Sequence, residues 1–181
     1  MPRSSSKALV FWPLLVTLVL ADRVTKAVAE QLLWPRGVPN PVFGDWFRWT
    51  LVYNPGAAFG LHLGPYSRWI FLALTVAALW ILWQLYRQTD AANRWRTVAI
   101  SLVTAGALGN LIDRIVSAQG VVDFIDIGVG DMRWPTFNVA DMAVSTGAIL
   151  LAAVLWREDA EASRREAEDV SAVGETSGAR S

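Results

Sequence analysis

Four apolar stretches divide the chain. Ala8 to Ala21 carries no charge, and its apolar character runs on past Asp22 and Arg23 to about Ala29. Trp69 to Tyr86, Thr97 to Ile112 and Val139 to Trp156 follow, uncharged except for Asp141. Each is close to the roughly 20 residues that cross a hydrocarbon core as a helix. A helix that is apolar on every side needs lipid or a very large core around it, and a chain of 181 residues cannot build that core. The pattern predicts an all-α membrane protein with four transmembrane helices. A cleaved signal peptide is the rival for the first stretch, with Arg3 and Lys7 ahead of it and Ala27-Val28-Ala29 as the cutting site. Asp22, Arg23 and Lys26 would then lie between the apolar run and the cut, which argues against it.

The connections differ in kind. Arg87, Arg94 and Arg96 crowd the short link between the second and third helices, and Arg3 and Lys7 precede the first. Basic flanks stay in the cytoplasm, so both termini and this link are expected there. The longer connections, about residues 30 to 68 and 113 to 136, then face outward. Trp34, Trp46, Trp49, Trp69 and Trp134 suit the outer interface, and Trp95 and Trp156 the inner one. Within the first connection, Val42-Phe43 and the run Trp46 to Tyr53 are aromatic and β-branched, bounded by Pro41, Gly44 and Asn54-Pro55-Gly56. They predict a small periplasmic sheet between the first two helices, a β-rich insert at about 36–60.

Composition sharpens this picture at two points. Sixteen basic and sixteen acidic residues balance, which argues against a nucleic-acid partner. The balance hides an acidic tail: four Arg and seven Asp or Glu lie from Arg157 onward, leaving twelve basic and nine acidic residues before it. Residues 1–159 are expected to form the membrane unit. Residues 160–181, with little to bury, are expected to be a cytoplasmic tail, briefly helical and then disordered. The chain has no cysteine, which excludes disulfides, a thiolate nucleophile and Cys-ligated metal; His62 is its one histidine.

Candidate chemistry sits where polar groups occupy the wrong solvent. Ionisable side chains within membrane helices are costly and mark functional sites. Asp22 and Lys26, four apart, share a helix face near the outer end of the first helix, as an interfacial ion pair or part of a site. Asn110, Asp113 and Arg114 share a face where the third helix ends, and Asn138 and Asp141 share one where the fourth begins. Asn138 alone reads as an N-cap and Asp141 as a first-turn acid. Between them Asp123 lies in the apolar run Val121 to Ile127. Asp113, Asp123 and Asp141 can therefore reach one pocket, and two close carboxylates sharing a proton can serve as base and acid on a water. Arg114 and Asn110 beside Asp113 would hold that carboxylate as an ionised structural acceptor. Gly56, with Ala57 and Ala58, permits a close backbone approach or a tight turn. Ala105, Gly106 and Gly109 suit small-residue helix packing.

Five segments stand in order along the chain: Asp22-Arg23-Val24-Thr25-Lys26, Asn54-Pro55-Gly56-Ala57-Ala58-Phe59, Gly106 to Arg114, Val121-Val122-Asp123-Phe124 and Phe137-Asn138-Val139-Ala140-Asp141. Together they resemble the lipoprotein signal peptidases, signal peptidase II, across about residues 8–156. The resemblance implies a multi-pass aspartic endopeptidase of the bacterial inner membrane, acting near its outer face. It would remove signal peptides from prolipoproteins just before a lipobox cysteine that already carries diacylglycerol. It places the catalytic pair on Asp123 and Asp141, with no metal or cofactor. Asn54, Asn110, Arg114 and Asn138 match positions lining the substrate and globomycin pocket, and Asp22, Lys26 and Asp113 match supporting positions. Membrane lipid and globomycin-type inhibitors are the other expected partners. Met142 departs from the small hydroxyl residue that many members carry after the second aspartate.

Two other classes compete. A small proton-coupled transporter or channel subunit would also hold intramembrane carboxylates, but spread through the membrane depth rather than gathered at one end. A noncatalytic assembly protein would explain the aromatics and leave the three aspartates without a role.

Overall fold

The structure, a computed structural model, describes residues 4–55, 57–58, 61–62 and 64–178. Four long helices account for most of it: α1 Ser4–Leu32, α2 Ser67–Gln88, α3 Arg94–Val116 and α4 Val139–Gly178. All four are long and apolar enough to span a membrane. Their outward side chains are large and apolar, among them Leu20, Trp80 and Ile149, each more than half exposed. A soluble protein could not leave such faces bare, whereas lipid covers them at no cost.

Helix ends must satisfy backbone groups that no longer find partners within the helix. Lys7 Nζ donates to the carbonyls of Tyr86, Arg87 and Thr89 at 2.8–3.3 Å and so ties α1 to the end of α2. Asn93 caps α3, its side chain accepting from the Arg96 N–H at 3.1 Å. At the other end of α3, Arg68 donates to the Arg114 and Ile115 carbonyls at 2.6 and 3.0 Å.

The central helix is α3, which packs on each of the other three. Small residues let it come close. A Cβ placed on Gly109 would stand 2.6 Å from Asp22 Oδ2 and 3.2 Å from Ala140 Cβ, and one on Gly106 would strike the Ala140 carbonyl and Val144. Gly147 of α4 meets Leu102 and Val103 in the same way. At the opposite end Phe11, Leu15, Leu82, Tyr86, Ile100 and Ala105 form the apolar core.

The sheet departs from the sequence reading in one respect. Strands β1 Asn40–Phe43 and β2 Phe47–Asn54 fall where aromatic and β-branched residues predicted them, and β3 Ala57–Ala58 and β4 Leu61–His62 make a separate small pair. The second connection contributes β5 Val121–Val129 and β6 Met132–Arg133, however, giving the antiparallel order β1-β2-β5-β6. The sheet therefore belongs to both long connections rather than to the first alone. Asp123 and Asp126, three apart, break the strict alternation that marks a half-buried strand, which hid β5 from a local pattern.

Helix α4 also continues to Gly178, further than the brief helical extension expected after residue 159. Ala, Glu and Arg are strong helix formers, and Glu161 and Arg165 stand at the favourable i, i+4 spacing. Glu158 anchors the exit, accepting from Asn93 at 2.5 Å and from Arg96 at 2.9 Å. From Asp159 to Glu168 every side chain is exposed.

The close approach at Gly109 gives a first test. Gly109→Val should drive into Asp22 and Ala140 and lower stability by about 1–3 kcal/mol, read as a lower melting temperature in detergent. An unchanged Tm would show that α1, α3 and α4 do not meet here as described.

Candidate active site

The site begins at a helix cap. Asn138 Oδ1 accepts the backbone N–H of Asp141 at 2.9 Å, and Asp141 Oδ2 accepts the backbone N–H of Asn138 at 3.1 Å. This reciprocal capping box starts α4 and fixes the Asp141 side chain at the first turn. The free side of Asn138 turns inward: its Nδ2 donates to Asp123 Oδ1 at 2.7 Å, to Asn110 Oδ1 at 3.1 Å and to the Val122 carbonyl at 3.2 Å. Asn110 in turn donates from Nδ2 to Asp141 Oδ1 at 2.8 Å. Two amides, both buried, thus bridge Asp123 and Asp141.

Asp123 comes from β5. Its neighbours Phe124 and Ile125 donate backbone N–H bonds to the Phe137 carbonyl at 3.0 and 2.8 Å, which lays β5 beside the residue preceding Asn138. On its other edge Val52 pairs with Asp123 across the ladder, and Asn54 at the end of β2 donates to Asp123 Oδ2 at 3.3 Å. Asp123 is only 3% exposed. Burial, and after it the charge of Asp141, push its carboxyl up to about 7, against the hydrogen bonds from Asn54 and Asn138 and the charge of Lys26. Near neutral pH this group is poised between acid and carboxylate.

Asp113 serves differently. Both its oxygens are taken by cations and backbone: Arg23 pairs with Oδ1, while Lys26 at 2.8 Å and the Val122 N–H at 3.3 Å share Oδ2. Its cations come from α1, and Arg114, the neighbour singled out in the sequence, is not among its ion-pair partners. Successive helix residues point about 100° apart, so adjacency along α3 did not bring the two side chains together. Arg23 was the residue the sequence reading passed over. The Asp22–Lys26 spacing was legible, but which residue across the helix interface Arg23 meets is a property of packing.

Asp22 and Lys26 lie deep within the protein rather than at the interface, each 1% exposed and paired at 2.8 Å. Asp22 Oδ1 also accepts the Ala140 N–H at the start of α4, 3.0 Å away. Arg114 is half-buried; its Nη1 donates to the Asn110 carbonyl at 3.3 Å, and its Nε has no hydrogen-bond partner among the described residues. Gly56 and the His62 side chain lie outside the described residues. Met142 is exposed and only its backbone N–H engages the cap, bonding to the Asn138 carbonyl at 3.2 Å, so this departure does not alter the contacts of Asp141. Among the described residues no group of three or more His, Cys, Asp or Glu is placed to hold a metal.

The arrangement can move protons on a water held between two carboxylates. The sequence model of signal peptidase (SPase) II matches residues 14–157. The chain belongs to the signal peptidase II family. It is 38% identical over 146 residues to a lipoprotein signal peptidase of Polynucleobacter necessarius, covering 79% of this chain and 85% of that one. Against the lipoprotein signal peptidase of Mycobacterium avium the identity is 42% over 140 residues, covering 75% and 72%. A bacterial membrane enzyme solved by the in meso method at 2.3 Å resolution superposes with a TM-score of 0.72 at 32% identity, covering 87% of this chain and 92% of that one. The protein is a multi-pass bacterial membrane protease, and the transporter and assembly readings fall away.

The raised Asp123 carboxyl makes stability depend on pH. Unfolded, the group loses its proton near 3.8, and folded near 7. The folded state is therefore favoured most below pH 3.8, loses that advantage as pH rises to about 7, and is level above it. Asp123→Asn has no such dependence, so its Tm should gain on the parent chain across that window and run parallel at higher pH. Parallel curves throughout would show that Asp123 does not retain its proton.

Proposed function

We propose that this protein is an aspartic endopeptidase that removes signal peptides from diacylglyceryl-modified prolipoproteins, cleaving just before the lipidated cysteine, with Asp123 and Asp141 as the catalytic pair. The observation that carries the reading is the pair of buried amides joining the two carboxylates, with Asp123 titrating near neutrality. Water bound between them loses a proton to Asp141 as its oxygen attacks the scissile carbonyl carbon, while Asp123 gives its proton to the carbonyl oxygen. When the carbon–nitrogen bond breaks, Asp141 passes its proton to the departing amine and Asp123 recovers one from the tetrahedral hydroxyl. Both carboxyls return to their starting states without a metal or cofactor.

Other residues hold the substrate. Asn54 ends β2 beside Asp123, and Gly56, two residues on in the sequence, is of the residue type that lets a substrate backbone approach closely. Arg114, whose Nε has no hydrogen-bond partner among the described residues, offers a donor to a peptide carbonyl or to a globomycin-type inhibitor. Asp22, Lys26 and Asp113 support the pair from behind. The catalytic unit is residues 1–159, and the remainder of α4 extends from it as an acidic helix. The protein lies in the inner membrane with both termini in the cytoplasm and the carboxylates near the periplasmic face, where lipid and lipidated substrate meet.

Incubating the purified protein with a diacylglyceryl-modified prolipoprotein should release its signal peptide. Asp123→Asn or Asp141→Asn should each cost at least about a hundredfold in rate, and the double variant little more, as residues acting as a unit do. Inhibitor binding should persist. If Asp123→Asn stays active while a folded Asp113→Asn is dead, the pair must be reassigned to Asp113 and Asp141.

Orientation has its own test. The chain lacks cysteine, so Ala91→Cys and Asn40→Cys can be labelled without background. The first should react from the cytoplasm and the second from outside; reaction of both from one side would overturn the topology.

A further inference from the structure

A hydrogen bond has a direction, and a buried amide takes its direction from whichever neighbour can only donate. Two such donors stand at the ends of the amide pair. Lys26 Nζ, which can only donate, forms ion pairs with Asp22 Oδ2 and Asp113 Oδ2, each at 2.8 Å, and donates to Asn110 Oδ1 at 2.9 Å. The Asn110 oxygen therefore faces the ammonium, and its N–H2 is turned to Asp141 Oδ1, 2.8 Å away. At the other end the Asp141 backbone N–H occupies Asn138 Oδ1, which turns the Asn138 N–H2 to Asp123 and to the Asn110 oxygen. Reversing Asn110 would set its N–H2 against the ammonium and against Asn138, and its oxygen against the Asp141 carboxylate.

We propose that Lys26 is a positioning residue for the catalytic pair: acting through Asn110, it commits that amide to donate to Asp141 and so keeps Asp141 the proton acceptor. The inference rests on the reading of Asp123 and Asp141 as that pair. With Asn110 donating to Oδ1 and the Asn138 N–H to Oδ2, both oxygens of Asp141 face donors. The charged groups around the amides are Asp22, Arg23 and Lys26 from α1, Asp113 and Arg114 from α3, Asp123 from β5 and Asp141 from α4. Arg23 is engaged by Asp113, and among the described residues the Arg114 guanidinium donates to the backbone oxygen of Asn110 and lies over the Phe71 ring. Among the described residues, Lys26 is the one cation on the Asn110 side-chain oxygen. Its nearest charge-free counterpart in shape is methionine, which would leave Asn110 free to turn.

The test uses the full chain and the same prolipoprotein cleavage assay. Asn110→Asp keeps the size of the side chain and an oxygen for Lys26, but it cannot donate to Asp141 until the introduced carboxyl takes up a proton. Cleavage at pH 7 should fall at least about tenfold, and the rate optimum should move about one pH unit or more toward acid, with KM little changed. A residue that only holds the fold would lower activity alike at every pH. Lys26→Met should lower kcat about tenfold at constant KM; because it removes the ion-pair partner of Asp22 and one of the two cations on Asp113 and risks unfolding, Asn110→Asp carries the decision if it does. Folding is followed by Tm. An Asn110→Asp profile with the parent optimum, or a folded Lys26→Met protein with the parent kcat, overturns the proposal. Asp141→Asn run alongside separates the two readings: if it still cleaves, the catalytic pair itself is wrong; if it is dead and Asn110→Asp shows no acid shift, only the part played by Lys26 fails.

Discussion

A buried ammonium organises this protein. Removing a charge from water costs several kcal/mol even after relaxation, so Lys26 at 1% exposure is tolerable only because two carboxylates and an amide oxygen lie within 2.9 Å of its ammonium. The oxygens that meet it are themselves committed elsewhere. Asp22 accepts the Ala140 N–H at the start of α4, and Asp113 accepts the Val122 N–H of β5 and an ion pair from Arg23. Asn110 reaches across to Asp141. One cation thus draws α1, α3, α4 and β5 to a single point, and the small residues Gly106 and Gly109 are what allow the backbones to close on it. Placing Asp123 and Asp141 is a consequence of neutralising Lys26.

The same economy shows at the start of α4. Every helix leaves its first N–H groups without partners, and a membrane helix whose end is covered by protein must satisfy them locally. Asn138 and Asp141 do so as a capping box, yet each makes further hydrogen bonds through its other side-chain atom, Asn138 to Asp123 and Asp141 to Asn110. The structural and the catalytic readings of these residues are not rivals here. Because Asp141 is held by the backbone of its own helix, it cannot swing away when Asp123 changes its protonation.

How much of this could be read in the sequence depends on whether the signal was local. Helices apolar on all sides announce themselves, as do the aromatic strands of the first connection. The i, i+4 spacing of Asp22 and Lys26 and the i, i+3 spacing of Asn138 and Asp141 put each pair on a face, and the structure uses both faces. Pairings between distant segments were not legible. That β5 completes a sheet begun eighty residues earlier, and that Asp113 faces Arg23 rather than depending on Arg114, follow from packing between elements. The length of α4 misled for another reason: absence of apolar surface argues against packing, but it does not argue against a helix made of strong helix formers.

The sheet completes the constraint from the water side. β5 has two aspartates with opposite fates. Burial works to raise Asp126, but hydrogen bonds from Arg133 at 2.5 Å, Thr50 at 2.8 Å and Arg48 at 3.0 Å outweigh it and hold the carboxyl below its usual range. Those partners come from β6 and β2, so an ionised Asp126 locks the strand between its two neighbours. Between Trp49 and Val52 the β2 register shifts, and there β5 turns its hydrogen bonds toward Phe137 instead. Asp123 lies beyond that shift, with amides rather than cations as its direct partners, and its carboxyl rises to about 7. Three residues apart on one strand, one carboxylate is surrounded by charge and fixes the strand, and the other has amides as its direct partners among the described residues, as the proposed role of Asp123 requires. A mobile proton on a fixed backbone is what hydrolysis between two carboxylates requires.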